Sequence, residues 1–311
     1  MPIRVFMSSG DMIADRRFDF ARDLQLRGDL SAAADLLVQA TELAPSFASA
    51  WFALADLREQ LGDRAGAIMA FRNAQGSDPD DRNGAGLRLM RLAAAELAAM
   101  PPSYLRTLFD QYAPKFEASL TGDLGYRGPA LLFKAVLAAS AAVGMPAFFR
   151  RAIDLGCGTG LTARAFATQT DEIIGIDISP KMIELADATG LYTALEVAEI
   201  VDGLRSKPDA SADLVLAADV MVYVHDVMPV LREAARVLKP GGLLAFTAET
   251  HSGEDVVLGA GLRYAHGAAH VRSAVEAAGF ELRHFENASA RNESHAPAPG
   301  LVVVAAKAWQ P

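Results

Sequence analysis

The sequence predicts an α/β domain built around a parallel sheet, preceded by a smaller all-α domain of helical repeats. Apolar runs of strand length alternate with helical patterns through the last half of the chain, which indicates βαβ units. A loop with three glycines separates the first run from the first helix. The N-terminal third instead repeats with a period of 34, which is typical of stacked helix pairs. We therefore expect two domains, residues 1–100 and 101–311.

The composition is that of a folded, acidic protein. Hydrophobic residues make up 51% and charged residues 22% of the 311 residues, which is typical of a globular chain. A formal net charge of −9 argues against binding to nucleic acid, since phosphate backbones need a basic face. The single cysteine, Cys157, cannot form an intramolecular disulfide. Because we recognise no secretory leader and no membrane-spanning run, we expect a cytoplasmic protein without a membrane partner.

The N-terminal third contains two helix pairs in tandem. The period aligns a turn glycine, small and large seam residues and a proline: Gly28 with Gly62, Ala33 with Ala67, Leu37 with Phe71, Ala40 with Ala74 and Pro45 with Pro79. The alanines let paired helices approach, and a further helix over 87–99 is expected to cap the stack. This pattern is similar to the tetratricopeptide repeat. The resemblance implies either a protein partner on the repeats or a structural support, and both interpretations stay open.

Seven apolar runs predict the strands of the second domain. They are 151–155, 173–177, 192–197, 213–218, 242–248, 281–286 and 301–307. Helical patterns lie between them at 160–168, 181–188, 228–238 and 268–278. Residues 249–267 are predicted to be a long loop that leaves the carboxyl end of a strand, where ligands bind in such sheets.

The most informative stretch is Asp154-Leu-Gly-Cys-Gly-Thr-Gly160, between the first predicted strand and its helix. Alternate glycines suit a turn with positive φ that a ligand can approach closely, and N–H groups at the helix start favour an electron-rich ligand group. Leu161 stands where the dinucleotide fingerprint has its third glycine, which argues against a nicotinamide dehydrogenase. Asp177 ends the second run, where a carboxylate can accept hydrogen bonds from ribose hydroxyls.

These residues resemble motif I and the acidic strand-2 position of class I S-adenosylmethionine-dependent methyltransferases. The resemblance runs from about Leu105 to the C-terminus and implies a Rossmann-like seven-stranded sheet whose last strand is antiparallel. It implies S-adenosyl-L-methionine as the cofactor, with contacts from Asp154, Gly156, Cys157, Gly158, Thr159, Gly160, Asp177, Ile178, Met182, Glu199, Asp219 and Tyr112. Core packing is an equal alternative for Met182, Tyr112 and Tyr126, and for Cys157 packing is favoured over reactivity.

The acceptor side is less specific. The family tetrapeptide Asn/Asp-Pro-Pro-Tyr/Phe, which marks methylation of exocyclic or amide nitrogens, is absent at Asp219. Arg263, Tyr264 and His266 in the long loop are substrate-side candidates, because a guanidinium suits an acidic acceptor and a histidine can act as general base. His225 is a second candidate base. No spacing of histidines, cysteine and carboxylates resembles a metal site.

We therefore expect methyl transfer to a small-molecule or carrier-linked acceptor, with oxygen favoured over nitrogen. Two alternatives remain open at this point. One is a protein methyltransferase whose repeats recruit the target, and the other is a non-catalytic scaffold.

Overall fold

A computed structural model of the chain describes residues 6–118, 125–293 and 296–308. The chain forms two compact units, Met1–Leu108 and Phe109–Pro311. Each unit has a hydrophobic core of its own, so each is described by itself.

The first unit is helical throughout its described secondary structure. Its helices are α1 (Met12–Leu26), α2 (Leu30–Leu43), α3 (Ala48–Gln60), α4 (Arg64–Ser77) and α5 (Ala85–Arg91), and the division between the units falls within α6 (Pro102–Tyr112). The α1 helix packs on α2, and α3 packs on α4. The helices α2 and α4 begin 34 residues apart, at Leu30 and Arg64, as the repeat period requires.

The predicted glycine turns separate the helices of each pair. Gly28 and Gly62 have φ angles of 87° and 83°, in the left-handed region where glycine has no steric cost. The aspartate after each glycine caps the next helix, since Asp29 accepts from the Ala32 N–H and Asp63 from the Gly66 N–H. The predicted seam residues are all buried: Ala33, Leu37, Ala40, Ala67, Phe71 and Ala74.

The predicted capping helix over 87–99 is shorter than expected. The α5 helix ends at Arg91, and Ala93 takes a left-handed φ of 50°. The Ala94 N–H then donates to the Leu89 carbonyl at 2.8 Å, which closes the last turn. No glycine marks this stop, so the sequence pattern runs past it.

The second unit is a mixed sheet with helices on both faces. Its strands are β1 (Phe149–Leu155), β2 (Thr170–Asp177), β3 (Ala194–Val197), β4 (Ala212–Ala217), β5 (Leu238–His251), β6 (Val256–Leu258), β7 (Tyr264–Gly267), β8 (Phe280–Asn287), β9 (Asn292–Glu293), β10 (Ala296–Pro297) and β11 (Gly300–Lys307). Its helices are α7 (Phe116–Ala118), α8 (Gly128–Ala142), α9 (Leu161–Phe166), α10 (Pro180–Asp187), α11 (Ile200–Arg205), α12 (Met228–Val237) and α13 (Ala268–Ala277).

The main sheet has the strand order β3-β2-β1-β4-β5-β11-β8, with β6 and β7 added beside the end of β5, and β9 and β10 form a separate two-stranded antiparallel sheet. The strands from β3 to β5 are parallel, and β11 is antiparallel to both of its neighbours. This confirms the predicted strands and the antiparallel last strand. Alternate residues of β4 enter two separate cores, Val215 beneath α12 and Leu214 beneath α8, which explains why the central strands are apolar without alternation.

The loop predicted over 249–267 is largely ordered as strands, so that prediction is corrected. The end of β5 pairs in parallel with β7, and β7 pairs with β6 as a hairpin. Gly267 is required here, because a Cβ at this position would run into the backbone of Gly253 and Glu254.

We expect Phe71→Ala to destabilise the first unit by about 3–5 kcal/mol, because the ring is fully buried and leaves a cavity. Phe71 contacts the Phe52 ring edge-on at 5.4 Å and lies beneath the Arg88 guanidinium. The control is Met69→Ala on the same helix, whose side chain is 53% exposed and whose loss should cost less than about 0.5 kcal/mol. Urea unfolding followed by circular dichroism measures both, and equal losses would contradict the proposed core.

Candidate active site

The glycine loop joins the carboxyl end of β1 to α9. Gly156, Gly158 and Gly160 have φ angles of 58°, 53° and 90°, so all three positions need the left-handed region. A Cβ at Gly156 would lie 2.6 Å from Val220, and one at Gly158 would lie 3.4 Å from the Phe116 ring. The alternate spacing of these glycines is therefore set by the backbone of the turn.

Asp177 lies at the end of β2 and faces this loop. Its Oδ2 accepts from the Gly158 N–H at 2.9 Å, and its Oδ1 accepts from the Ser179 N–H at 2.8 Å. Burial raises the pKa of this carboxyl to about 6, although both N–H donors oppose the shift. Each carboxylate oxygen can accept a second hydrogen bond, so the group can still hold a ligand hydroxyl.

Asp154 is buried at the start of the same loop. Its Oδ2 accepts from the Tyr192 hydroxyl at 2.8 Å, while its Oδ1 finds no partner among the described residues. Burial raises the pKa of Asp154 to about 7. The buried Oγ1 of Thr159 also has no partner within the described part of the chain. Because buried polar atoms are normally satisfied, these two atoms fit a ligand that donates and accepts hydrogen bonds.

Cys157 packs beneath the loop. It is buried, and a Cβ at Gly175 would come within 2.9 Å of its sulfur. Burial raises the pKa of the Cys157 thiol well above its usual range. The thiolate that a nucleophile requires is therefore disfavoured, which supports the packing interpretation.

The turn after β2 carries two further predicted contacts. Ile178 is partly buried beside Asp177, whereas Met182 is fully buried at the start of α10. The Ser179 Oγ accepts from the Met182 N–H at 3.1 Å and donates to Asp110 at 2.6 Å. The helix start is thus fixed by hydrogen bonds, and Met182 occupies a core position.

Glu199, predicted to reach the cofactor, instead caps α11 in this structure. Its Oε2 accepts from the Val201 N–H at 2.8 Å and from the Asp202 N–H at 3.4 Å. The Glu199 side chain is long enough to fold back on the helix start, so its oxygen serves the backbone.

Asp219 follows β4 in a left-handed conformation, with φ of 59°. Its N–H donates to the Thr247 Oγ1 at 2.8 Å, and its carboxylate lies 3.4 Å from the Arg291 Nε. A non-glycine residue held in this region is strained, and such strain is common where the chain positions a functional group.

A group of charged side chains surrounds Asp219 at the carboxyl edge of the sheet. Arg291 forms an ion pair with Glu249 as well as with Asp219. Arg263 contacts Glu249 at 3.2 Å and Glu293 at 3.1 Å. We call these five residues, Asp219, Glu249, Arg263, Arg291 and Glu293, the edge cluster. Arg263 was predicted to clamp an acidic acceptor, but two carboxylates already pair with its guanidinium.

Aromatic rings extend from the glycine loop to the edge cluster. Phe109 meets Phe116 at 6.4 Å and Tyr223 at 5.2 Å, and Tyr112 meets Phe116 at 5.8 Å between ring centroids. Burial raises the pKa of Tyr223, which lies beside Asp219 and Arg263. The predicted Tyr112 therefore belongs to an aromatic group that covers Gly158.

Tyr126 lies in the segment before α8. The sequence favours neither a core position nor a site position for its side chain. Burial raises the pKa of its phenol well above the usual value, and Asp219 and Asp154 add to the shift. The charges of Asp154 and Asp219 are therefore both near enough to disfavour the phenolate of Tyr126.

The two candidate bases, His266 and His225, have different environments in the structure. His266 on β7 is fully buried, with Nε2 at 3.0 Å from the Val224 carbonyl, and burial lowers its pKa to about 4. An enclosed imidazole of this kind does not support the predicted role as general base. Tyr264 is likewise fully buried. His225 is partly buried against the Tyr264 ring, at 5.4 Å between centroids, and stays a candidate.

Two further searches cover residues 6–118, 125–293 and 296–308. Within these ranges, no group of three or more histidine, cysteine or acidic side chains is arranged to hold a metal ion. No helix in the same ranges has both the length and the apolar character needed to cross a bilayer.

Sequence comparison identifies the central part of the second unit. Residues 153–246 match the family model described as a methyltransferase domain. The chain is 32% identical over 97 residues to the ubiquinone biosynthesis O-methyltransferase of Xanthomonas oryzae pv. oryzae (strain PXO99A). It is 40% identical over 100 residues to the 27-O-demethylrifamycin SV methyltransferase of Amycolatopsis mediterranei (strain S699). Both alignments cover 30% of this chain, and the chain spans only 41% and 37% of those relatives.

Solved structures agree on the fold. One is the Burkholderia thailandensis 1,6-didemethyltoxoflavin-N1-methyltransferase with bound 1,6-didemethyltoxoflavin and S-adenosylhomocysteine, with a TM-score of 0.53 at 20% identity over 69% of this chain and 93% of that one. Another is the [4+2]-cyclase SpnF, with a TM-score of 0.53 at 19% identity over 70% and 100%. Identity this low shows the fold alone. Residues 153–246 thus match a methyltransferase domain, and the second unit shares the Rossmann-like fold of these solved structures.

Proposed function

We propose that the protein is an S-adenosyl-L-methionine-dependent methyltransferase that acts on a small-molecule or carrier-linked acceptor, at oxygen. The observation that carries the proposal is the contact between Asp177 and the glycine loop, within a domain that matches the methyltransferase family. The names of the two relatives support an oxygen acceptor and a small-molecule substrate.

The residues at the loop fit the parts of this cofactor. Asp177 would accept from the ribose hydroxyls, with Ile178 beside it, and the free Oδ1 of Asp154 would accept from the amino group. The Thr159 hydroxyl and the loop N–H groups would serve the carboxylate end. When bound, the cofactor supplies an activated methyl group on a sulfonium.

The Phe116 ring lies against Gly158, where a ligand would approach the loop. Cofactor binding therefore requires the 113–118 segment to shift or to share this surface. An aromatic cover of this kind excludes water from the methyl group, which is the main service that such an enzyme provides.

The transfer itself asks little of the protein beyond position. An acceptor hydroxyl would receive the methyl group as the C–S bond of the bound cofactor breaks, and its proton would pass to a base of the protein. His225 is the candidate base that remains, because His266 is fully buried and burial lowers its pKa to about 4.

A protein acceptor is the alternative, with the first unit as the recruiting element. Its support is the set of large apolar side chains that α1 exposes, namely Met12, Ile13, Phe20 and Leu26. The resemblance of this unit to tetratricopeptide repeats, which implies a possible protein partner, also supports this alternative.

Calorimetry with S-adenosyl-L-methionine tests the proposed site directly. The parent protein should bind, and Gly158→Val should abolish binding, because the new side chain enters the ligand's path at a positive φ. The matched control is Gly279→Val, which carries comparable backbone strain at φ of 86° but has no atom within 4 Å of its Cβ. If the parent does not bind S-adenosyl-L-methionine, or if the Gly158 variant binds it equally well, the glycine loop is not the cofactor site.

Asp177→Ala should weaken cofactor binding by about 1–3 kcal/mol, because charge-assisted hydrogen bonds are lost. Asp187→Ala, at the exposed end of α10, removes the same charge away from the site and should leave the affinity unchanged. Titration calorimetry compares the two dissociation constants. An unchanged constant for the Asp177 variant would place the ribose elsewhere.

Cofactor affinity should rise as the pH is raised from about 5 to about 8. The pKa values of Asp154 and Asp177, raised to about 7 and about 6, mean that both carboxyls hold protons in the acid part of this range. The cationic cofactor binds the ionised carboxyls. Below the pKa of each carboxyl, the cofactor affinity should therefore fall about tenfold per pH unit for that group. Asp154→Asn should flatten the upper part of the profile. A parent affinity that does not vary with pH would contradict this account.

A further inference from the structure

Arg291 is the most enclosed charged side chain of the edge cluster, with 2% of its side chain exposed. Its Nε faces Asp219 and its Nη2 faces Glu249. Its Nη1 has no hydrogen-bond partner among the residues that the structure describes. A buried guanidinium nitrogen left unpaired is costly, so this N–H pair suits a ligand oxygen.

The backbone around Arg291 is held firmly in place. The Arg291 carbonyl accepts from the Ala298 N–H at 3.0 Å and from the Ser289 hydroxyl at 2.7 Å. The neighbouring Ala290 carbonyl accepts from the Arg127 N–H at 2.7 Å. This last bond joins the turn before β9 to the segment that carries Tyr126, so it holds the backbone next to Arg291 and the backbone next to Tyr126 together.

Arg291 lies on the acceptor side of the proposed cofactor site. The Nε of Arg291 lies 3.4 Å from the carboxylate of Asp219, which follows β4, and β4 runs parallel to β1, so Asp219 and the glycine loop lie at the same edge of the sheet. The free Nη1 therefore belongs to the region that the acceptor must enter to meet the methyl group.

The charges of the edge cluster disfavour an anionic acceptor. Three carboxylates, Asp219, Glu249 and Glu293, stand against the two guanidiniums of Arg263 and Arg291. Among the five residues of the edge cluster, a bound carboxylate would find no uncompensated positive charge to repay its loss of hydration. A neutral oxygen can take the Nη1 hydrogen bond without that cost.

The neighbouring rings indicate the shape of the acceptor. Phe109, Phe116 and Tyr223 present aromatic surface between the glycine loop and Arg263, which favours a planar, apolar body. We propose that Arg291 is the specificity-determining residue of the acceptor site, and that it binds an uncharged carbonyl oxygen next to the reacting hydroxyl of a planar acceptor. This inference rests on the proposed function and replaces the acidic acceptor that Arg263 suggested.

Methyl salicylate and salicylate are matched probes, since both place a hydroxyl beside a carbonyl and only salicylate is charged. Protein saturated with S-adenosylhomocysteine is titrated with each by calorimetry. Methyl salicylate should bind at least about tenfold more tightly than salicylate. Equal or tighter binding of salicylate, or no binding of methyl salicylate, overturns the proposal.

Arg291→Lys keeps the positive charge between Asp219 and Glu249 but removes the second donor arm. It should weaken methyl salicylate binding about tenfold and leave S-adenosylhomocysteine binding unchanged. Arg283→Lys, on the exposed Glu281 pair of β8, is the control and should alter neither. Unchanged probe binding by the Arg291 variant, with a melting temperature like that of the parent, also overturns the proposal.

The two proposals fail differently in this experiment. If the parent protein does not bind S-adenosylhomocysteine, both the methyltransferase function and the acceptor site are rejected. Retained S-adenosylhomocysteine binding without the expected probe preference rejects only the role of Arg291. If Arg291→Lys does not fold, the comparison of the two probes on the parent protein still decides the question.

Discussion

The hydrogen bond from the Gly158 N–H to the Asp177 carboxylate ties together the two strands that define this site. The β1 and β2 strands run in parallel with Asp154 opposite Gly175, so their carboxyl ends reach the same edge. Only a turn of left-handed glycines lets the chain leave β1, present an N–H to the neighbouring strand end and enter α9. The proposed cofactor contacts, the buried acids and the aromatic cover all depend on this junction.

Much of the fold could be predicted because the central strands are buried on both faces and so appear as continuous apolar runs. The β6 and β7 strands could not, since they are short and form only by pairing with the end of β5. The same limit explains Arg263 and His266. Their environments are set by that pairing, which brings Arg263 to Glu249 and encloses His266 beneath Val224.

The proposed cofactor side of the site is encoded locally, within one turn and one strand end, so sequence spacing could predict that these two segments meet. The acceptor side is assembled from distant segments. Tyr126 precedes α8, Asp219 follows β4 and Arg291 lies before β11, so no local pattern connects them. Tyr192, whose hydroxyl donates to the Oδ2 of Asp154, could not be predicted for the same reason, although a buried carboxylate requires some partner.

The two buried carboxyl groups at the glycine loop, Asp154 and Asp177, have a consequence for turnover in the proposed enzyme. Under the proposed assignment, Asp177 and Asp154 would hold the sugar and the amino group, which methyl transfer leaves unaltered. These contacts would then bind S-adenosylhomocysteine nearly as tightly as S-adenosyl-L-methionine, apart from the loss of the sulfonium charge. Departure of that by-product, and its removal by some other enzyme, would set the pace of repeated catalysis.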